Sequence, residues 1–284
     1  MNNFLGIIFL LVTSLSWGQD KITGFWQGMI IHSNQNIETA DVIYLSLNEK
    51  EEGYTRIELL NQTVFALKNV QIKYKNGQLE LEEKYLKSSA NDRNAPKCKL
   101  NYSLSFDEEK GYLKGTFKSS DCRNVIGEVI LYAKEDGEMN MDKEPTATHY
   151  WRHQFAQNYQ KGFPSPAYML KEQQAFEFKP IYFDHDKSEI KAEFHEYLSK
   201  MARILEGIHD LRIKVTGHTD AVGTDEYNIG LSERRARAIK EFFLERGINE
   251  DKLEIDFKGK RMPVDTNLTP EGKQRNRRVD FQFI

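Results

Sequence analysis

Cysteine is scarce in this chain of 284 residues, with only Cys98 and Cys122, and neither sign of charge is in marked excess, the formal net charge being −3. Two cysteines with no CxxC spacing and no histidine near them supply neither a zinc site nor a redox dithiol. Lys+Arg 40 and Asp+Glu 43 are interspersed rather than blocked, so there is no basic field to hold a nucleic acid. A mean hydropathy of −0.65 leaves no room for several membrane helices. What is present suits a globular protein: 39% hydrophobic and 12% aromatic residues are enough to build cores. At roughly 150 residues per domain, the length points to two domains.

One apolar run stands out, FLGIIFLLVTSLSW at residues 4–17. It is shorter than the roughly 18 to 20 residues a spanning helix needs, and has the length of a secretion-signal core. Small residues at Ser16 and Gly18 suit cleavage before Gln19, and no cysteine follows the cut as a lipoprotein signal requires. The expectation is a signal peptide at 1–18 and export to the periplasm, with an uncleaved inner-membrane anchor as the alternative. Export permits a disulfide. Runs 99–106 and 111–118 alternate and are joined by the polar turn DEEK, which reads as a hairpin. Folding it about the turn sets position 98 opposite about position 119, within reach of a Cys98–Cys122 bridge.

From 24 to about 134 the pattern has period two: Ile43, Leu45 and Leu47 alternate with polar neighbours, as do Val70 and Ile72. Seven or eight short strands are expected over 19–134, making an all-β antiparallel domain, either a barrel or a sandwich. Gly24 and Trp26 in TGFWQG resemble the Gly-x-Trp start of lipocalin-like barrels. Glu83 interrupts the Leu79, Leu81 face and Lys114 the Tyr112, Thr116 face. Clean lipid-facing alternation over nine to eleven residues is therefore missing, and a soluble barrel is favoured.

Residues 135–146, EDGEMNMDKEPT, read as linker, and 135–174 as a linker with a short aromatic helix around Trp151 and Phe155. His149 and His153 have metal-ligand spacing, but no glutamate follows His149, so two surface histidines are expected. From 175 to 284 strand and helix patterns alternate in the order β-α-β-α-β-β, an α+β two-layer sandwich. One helix carries Ile190, Phe194, Leu198, Met201 and Leu205 and stops at Gly207; a second runs over 231–246 and stops at Gly247.

The second helix holds the anomaly. Leu231, Ala238, Ile239 and Phe242 make an apolar stripe at 100° per residue, and Arg235 projects from its middle. A guanidinium placed there loses hydration and needs an anion, either a protein carboxylate or a ligand. The preceding loop, GHTDAVGTDEYN, brings Thr219, Asp220 and Asn228 to a helix N-terminus beside Gly223, a natural anion corner. Asp220 for an ammonium and Arg235 for a carboxylate would hold a zwitterion. Alternatively, the two simply pair with each other.

GHTDAVGTDEYNIGLSERRARAIKEFF together with QRNRRVDFQFI resembles the OmpA-like C-terminal domain shared by OmpA, the lipoprotein Pal and the stator protein MotB, over about 175–284. The resemblance implies noncovalent binding of peptidoglycan through the diaminopimelate of the stem peptide. It implies that Asp220 and Arg235 form the grip, and that Thr219, Asn228 and Leu231 shape the pocket. Phe183 and Asp184 are implied at its rim, with Asn276, Arg277 and Arg278 matching the family's NRR. Where members carry a glycine-rich GKGxxxP, this chain reads FKGKRMP, with Lys260 and Arg261. The N-terminal half does not resemble the membrane barrel of OmpA.

No nucleophile elbow accompanies His218, Asp220 and Ser232, no phosphate loop occurs, and the acidic residues lack calcium-loop spacing. Neither catalysis, a metal nor a cofactor is expected. Two functions remain open: a tether whose β half docks an envelope protein, and a wall-localised carrier whose β half holds an apolar small molecule. A filled barrel favours the first and a cavity of a few hundred Å³ the second.

Overall fold

The computed structural model describes residues 22–50, 52–75, 77–89, 93–134 and 149–284. The signal segment expected at 1–18 and the linker at 135–146 lie outside these residues. Eight antiparallel strands form a closed barrel: β1 Gly24–His32, β2 Asp41–Leu47, β3 Glu52–Glu58, β4 Phe65–Lys75, β5 Gln78–Ser89, β6 Leu100–Asp107, β7 Tyr112–Ser119 and β8 Ile126–Ala133. Each pairs with its neighbour, and β8 closes onto β1 with Gly28 opposite Leu131. The N-terminal half is therefore a barrel rather than a sandwich.

The apolar face of each strand points inward. Trp26, Ile30, Ile43, Leu45, Ile57, Val70, Leu81, Tyr102, Leu113, Phe117, Val129 and Leu131 form one buried cluster drawn from all eight strands. The interior is a packed core, while Lys73, Glu80, Glu82, Lys114 and Glu128 occupy outward positions, a face unsuited to lipid. Among the described residues no helix is long and apolar enough to cross a membrane.

Glu83, which breaks the Leu79, Leu81 face, points inward with its neighbours and is buried at 2% exposure. It accepts from Lys68 Nζ at 2.8 Å, Thr55 Oγ at 2.6 Å, Tyr102 Oη at 2.8 Å and the Leu100 amide at 2.9 Å. Burying a carboxylate is tolerable only with such saturation. Register shifts in β4 on either side of Lys68 form a bulge at this spot. Cys98 and Cys122 are joined by a disulfide at the open end of the β6–β7 hairpin, where Leu100 faces Ser119.

Helices α1, Trp151–Gln160, and α2, Pro166–Gln174, follow. Phe155 and Ala156 of α1 are buried against Met29, Tyr112, Ile130 and Tyr132 on the outside of the barrel. The other side of α1 reaches the C-terminal domain, where Asn158 Nδ2 donates to the Gly207 carbonyl at 2.8 Å. His149 is not a surface histidine: its Nε2 lies 3.0 Å from the buried Glu58 and its Nδ1 3.2 Å from the Tyr44 hydroxyl. The pairing on Glu58 comes from the barrel wall, which the local sequence around His149 does not reveal.

The C-terminal domain is a four-stranded sheet in the order β11-β10-β12-β9, with β9 Ile181–Tyr182, β10 Ile213–Gly217, β11 Leu253–Phe257 and β12 Arg278–Phe283. Strands β10 and β11 run parallel, and β12 is antiparallel to both β10 and β9. Helices α3, His195–Gly207, and α4, Asp225–Leu244, supply Leu198, Met201, Leu205, Ala236, Ile239 and Phe243 to the core with Ile213, Val215 and Val279. A short α5, Pro270–Asn276, precedes β12. Helix α4 begins six residues before the start expected from periodicity. Thr224 caps it by accepting from the Tyr227 amide at 3.2 Å, a local signal that the apolar stripe does not carry. Gly217 ends β10 where that strand touches α4; a Cβ there would lie 2.1 Å from the Ser232 carbonyl oxygen.

Candidate functional site

A pocket of about 160 Å³ opens where the C-terminal end of β10 meets the start of α4, lined by His185, Asp186, Thr219, Asp220, Val222, Gly223, Tyr227, Asn228, Leu231, Arg235 and Arg277. Its floor is built by hydrogen bonding. Asn228 is 1% exposed, and its Nδ2 donates to the Val222 and Thr224 carbonyls at 2.9 and 3.0 Å. Gly223, with φ 94°, makes the left-handed turn this loop needs. The Thr219 amide bonds the Gly259 carbonyl at 2.9 Å, and Ser232 Oγ accepts from the Gly259 amide at 3.0 Å. Ser232 thus braces the loop. Lys260 Nζ reaches the Gly223 carbonyl at 3.1 Å and Asp225 at 2.9 Å, closing the rim on that side.

Arg235 is fully buried. Its Nε donates to the Lys187 carbonyl at 2.8 Å, Nη1 to the His218 carbonyl at 2.9 Å and Nη2 to the Asp184 carbonyl at 3.0 Å. Its guanidinium stands 5.2 Å above the Phe183 ring. Among the described residues no carboxylate lies within 4 Å of it, and one N–H on each terminal nitrogen has no protein acceptor. Burial, reinforced by the neighbouring Arg277 charge, lowers its pKa to about 10, so it remains a cation at neutral pH.

Asp220, 3% exposed, does not pair with Arg235. One of its oxygens takes Arg277 Nη1 at 2.8 Å, with His185 Nδ1 3.8 Å away, and the other accepts from the Val222 amide at 3.1 Å. Arg277 is fixed further by the Phe183 carbonyl at 3.2 Å and by Gln274 Oε1. At the mouth, the exposed Asp186 accepts from the Tyr227 hydroxyl.

The structure therefore brings Thr219, Asp220, Asn228, Leu231, Arg235 and Arg277 together around one pocket. Three residues stand apart from it. Phe183 is fully buried in the core beneath Arg235 rather than at a rim. The Asp184 side chain turns to Lys191 at 2.8 Å and offers the pocket region only its carbonyl. Arg278, the first residue of β12, is bound to Asp280 at 2.9 Å, while Arg277, which ends α5, pairs with Asp220. Asn276 is fully buried and holds the loop before α5 through the Val264 and Asp265 amides at 2.8 and 3.0 Å. His185, Asp186, Val222 and Tyr227 line the pocket without having been singled out from the sequence. Asp186, two residues beyond YFD, and Tyr227, directly before Asn228, carry no pattern apart from their place in those motifs.

Residues 182–277 match the OmpA family and form an OmpA family domain. The chain is 39% identical over 103 residues to outer membrane protein A of Bordetella avium, a stretch that is 36% of this chain and 53% of that protein. It is 38% identical over 102 residues to the peptidoglycan-associated lipoprotein of Pseudomonas aeruginosa, covering 36% of this chain and 60% of that protein. The chain thus spans less than two thirds of either relative. Among solved structures, the peptidoglycan-associated lipoprotein from Burkholderia pseudomallei aligns at a TM-score of 0.37 and 28% identity, over 37% of this chain and 90% of that one.

Proposed function

We propose that this protein binds peptidoglycan noncovalently through the diaminopimelate of the stem peptide and tethers its barrel, or a partner of the barrel, to the wall. The observation that carries this reading is Arg235: a fully buried cation that, among the described residues, has two N–H donors without acceptors and no carboxylate within 4 Å, with a buried carboxylate, Asp220, facing the same pocket. A buried guanidinium left this way is stabilised by an incoming carboxylate. In the proposed complex Arg235 takes the side-chain carboxylate of diaminopimelate and Asp220 its ammonium. Thr219, Asn228 and Leu231 shape the walls, and Arg277 holds the Asp220 carboxylate in place at 2.8 Å. The printed names of the relatives, one of them peptidoglycan-associated, support the same ligand class.

The role is binding rather than catalysis, in the cell envelope, following export by a cleaved signal at 1–18. We divide the protein into a β domain at 19–134, a connecting segment at 135–174 and the wall-binding domain at 175–284. The packed barrel interior favours a tether over a carrier of an apolar molecule. The test is sedimentation of the mature protein with purified sacculi, competed by soluble stem peptides. Peptides with diaminopimelate should release it, and matched peptides with lysine, which lack the second carboxylate, should not. Equal release by both would refute the reading.

A further inference from the structure

The buried charges facing the pocket do not balance. Arg235 and Arg277 are two guanidinium groups, and among the described residues Asp220 is the one buried carboxylate set against them; Asp186 stands exposed at the mouth, bonded to Tyr227 and screened by solvent. A ligand ammonium at Asp220 and a carboxylate at Arg235 cancel each other and leave this excess unchanged. Removing it takes a second ligand carboxylate. Arg277 is built to receive one: its Nε is fixed on the Phe183 carbonyl, Nη2 on Gln274 and Nη1 on Asp220, and each terminal nitrogen keeps one N–H without an acceptor among the described residues. Its side chain is 13% exposed, enough for contact from the pocket but too little for free hydration.

Resting on the peptidoglycan reading above, we propose that Arg277 is a second anion reader, taking another carboxylate of the same stem peptide. Two carboxylates have this chemistry: that of the glutamate preceding diaminopimelate, and, in a tripeptide stem, the terminal carboxylate of diaminopimelate itself. The site then discriminates between walls by amidation or trimming as well as by the diamino acid.

The experiment is calorimetric titration of the full mature chain with four soluble muropeptides, all containing diaminopimelate. Two are tetrapeptides, with the glutamate carboxylate free or amidated; two are tripeptides, with the terminal carboxylate free or amidated. Wild type should lose tenfold or more affinity on amidation in one pair, which identifies the carboxylate that is read, and Arg277→Gln should abolish that difference. Arg277→Lys, keeping charge without the planar fork, should show an intermediate difference. Equal binding of both members of both pairs by wild type, or a difference that survives in folded Arg277→Gln, overturns the proposal. A retained preference for diaminopimelate over lysine in that case leaves the first reading standing. Failure of all four peptides to bind overturns both.

Discussion

Asp220 and Arg235 line the same pocket without bonding to each other: Asp220 is held by Arg277 at 2.8 Å, while Arg235 is held by the carbonyls of Asp184, Lys187 and His218. Each charge is positioned by the protein while part of its hydrogen-bonding capacity still faces the pocket. Had the two formed a mutual ion pair, a zwitterionic ligand would first have to break it. In the observed arrangement such a ligand would add contacts to groups already in place, which lowers the ordering cost of binding.

The two residues should therefore respond differently to substitution. Arg235→Ala leaves three carbonyls without their donor, so it should lower stability by about 1 to 3 kcal/mol as well as abolish sacculus binding. Arg235→Lys should also bind poorly, since one ammonium cannot reproduce both the three-carbonyl hold and the planar contact with a carboxylate. Asp220→Asn keeps the shape of the side chain and should lose binding with a smaller change in melting temperature. Arg237→Ala, whose side chain is exposed and pairs with Glu233 at 2.7 Å, is the control expected to bind as wild type. Paired thermal melts and sedimentation assays check all four, and wild-type binding by folded Asp220→Asn would rule out the ammonium contact.

In the barrel, the Lys68–Glu83 pair at 2.8 Å is buried at both ends. Breaking it from one side, as in Lys68→Met, strands a carboxylate among apolar side chains and should cost about 3 to 5 kcal/mol. Replacing both together, Lys68→Met with Glu83→Leu, should recover most of that loss, although the Thr55 and Tyr102 hydroxyls then lose their acceptor. Urea denaturation of the three variants measures the coupling. A double variant no more stable than Lys68→Met alone would show that the hydroxyl bonds, not the ion pair, dominate the cluster.

The antiparallel β character of the first domain, the strand–helix alternation of the second and the disulfide were legible because each rests on a short-range pattern: period two, period 3.6, and a hairpin that brings position 98 near 122; closure into a barrel rather than a sandwich was not, since it depends on β8 pairing with β1. Arg235 was legible as an anomaly because one helix face suffices to mark it. Its partners were not, since they are carbonyls from residues 184, 187 and 218, and a carbonyl leaves no trace in residue type. Likewise nothing around Arg277 announces that it, rather than Arg235, pairs with Asp220; the link joins residues 57 apart. Lys68 and Glu83 are 15 apart on adjacent strands, and their pairing depends on a register, Val70 opposite Glu83, that the periodicity of either strand alone does not show. The burial of His149 is hidden for the same reason, its carboxylate partner Glu58 lying on β3.

Reduction of the Cys98–Cys122 bond, which spans a sequence separation of 24, should lower barrel stability by roughly 3 kcal/mol through the added freedom of the unfolded chain. Denaturation curves with and without reductant, compared with a Cys98→Ser, Cys122→Ser variant, test this. The variant should match the reduced protein and be insensitive to reductant. Sacculus binding should be unchanged below the unfolding midpoint, because the bridge lies in the barrel and the pocket in the second domain.

Alkali should loosen the barrel at the α1 interface before pH 12. Burial raises the Tyr132 hydroxyl to about 12, burial together with the Glu58 charge raises Tyr44, and burial together with Tyr159 raises Tyr112; inside the barrel, burial and Glu83 raise Tyr102. An unfolded tyrosine ionises near pH 10. Between about pH 9 and 12 the unfolded chain therefore releases protons that the folded chain retains, and stability must fall as pH rises through that window, while below about pH 9 these groups contribute almost no pH dependence. The limiting slope is about 1.4 kcal/mol per pH unit for each such tyrosine. Urea midpoints at pH 9, 10 and 11 should drop slightly in the first interval and about three times as much in the second. Tyr132→Phe should reduce the slope by one proton's share, at the cost of the Gln27 hydrogen bond to that hydroxyl. Equal slopes in wild type and Tyr132→Phe would mean that water reaches this hydroxyl and that α1 does not seal the barrel wall.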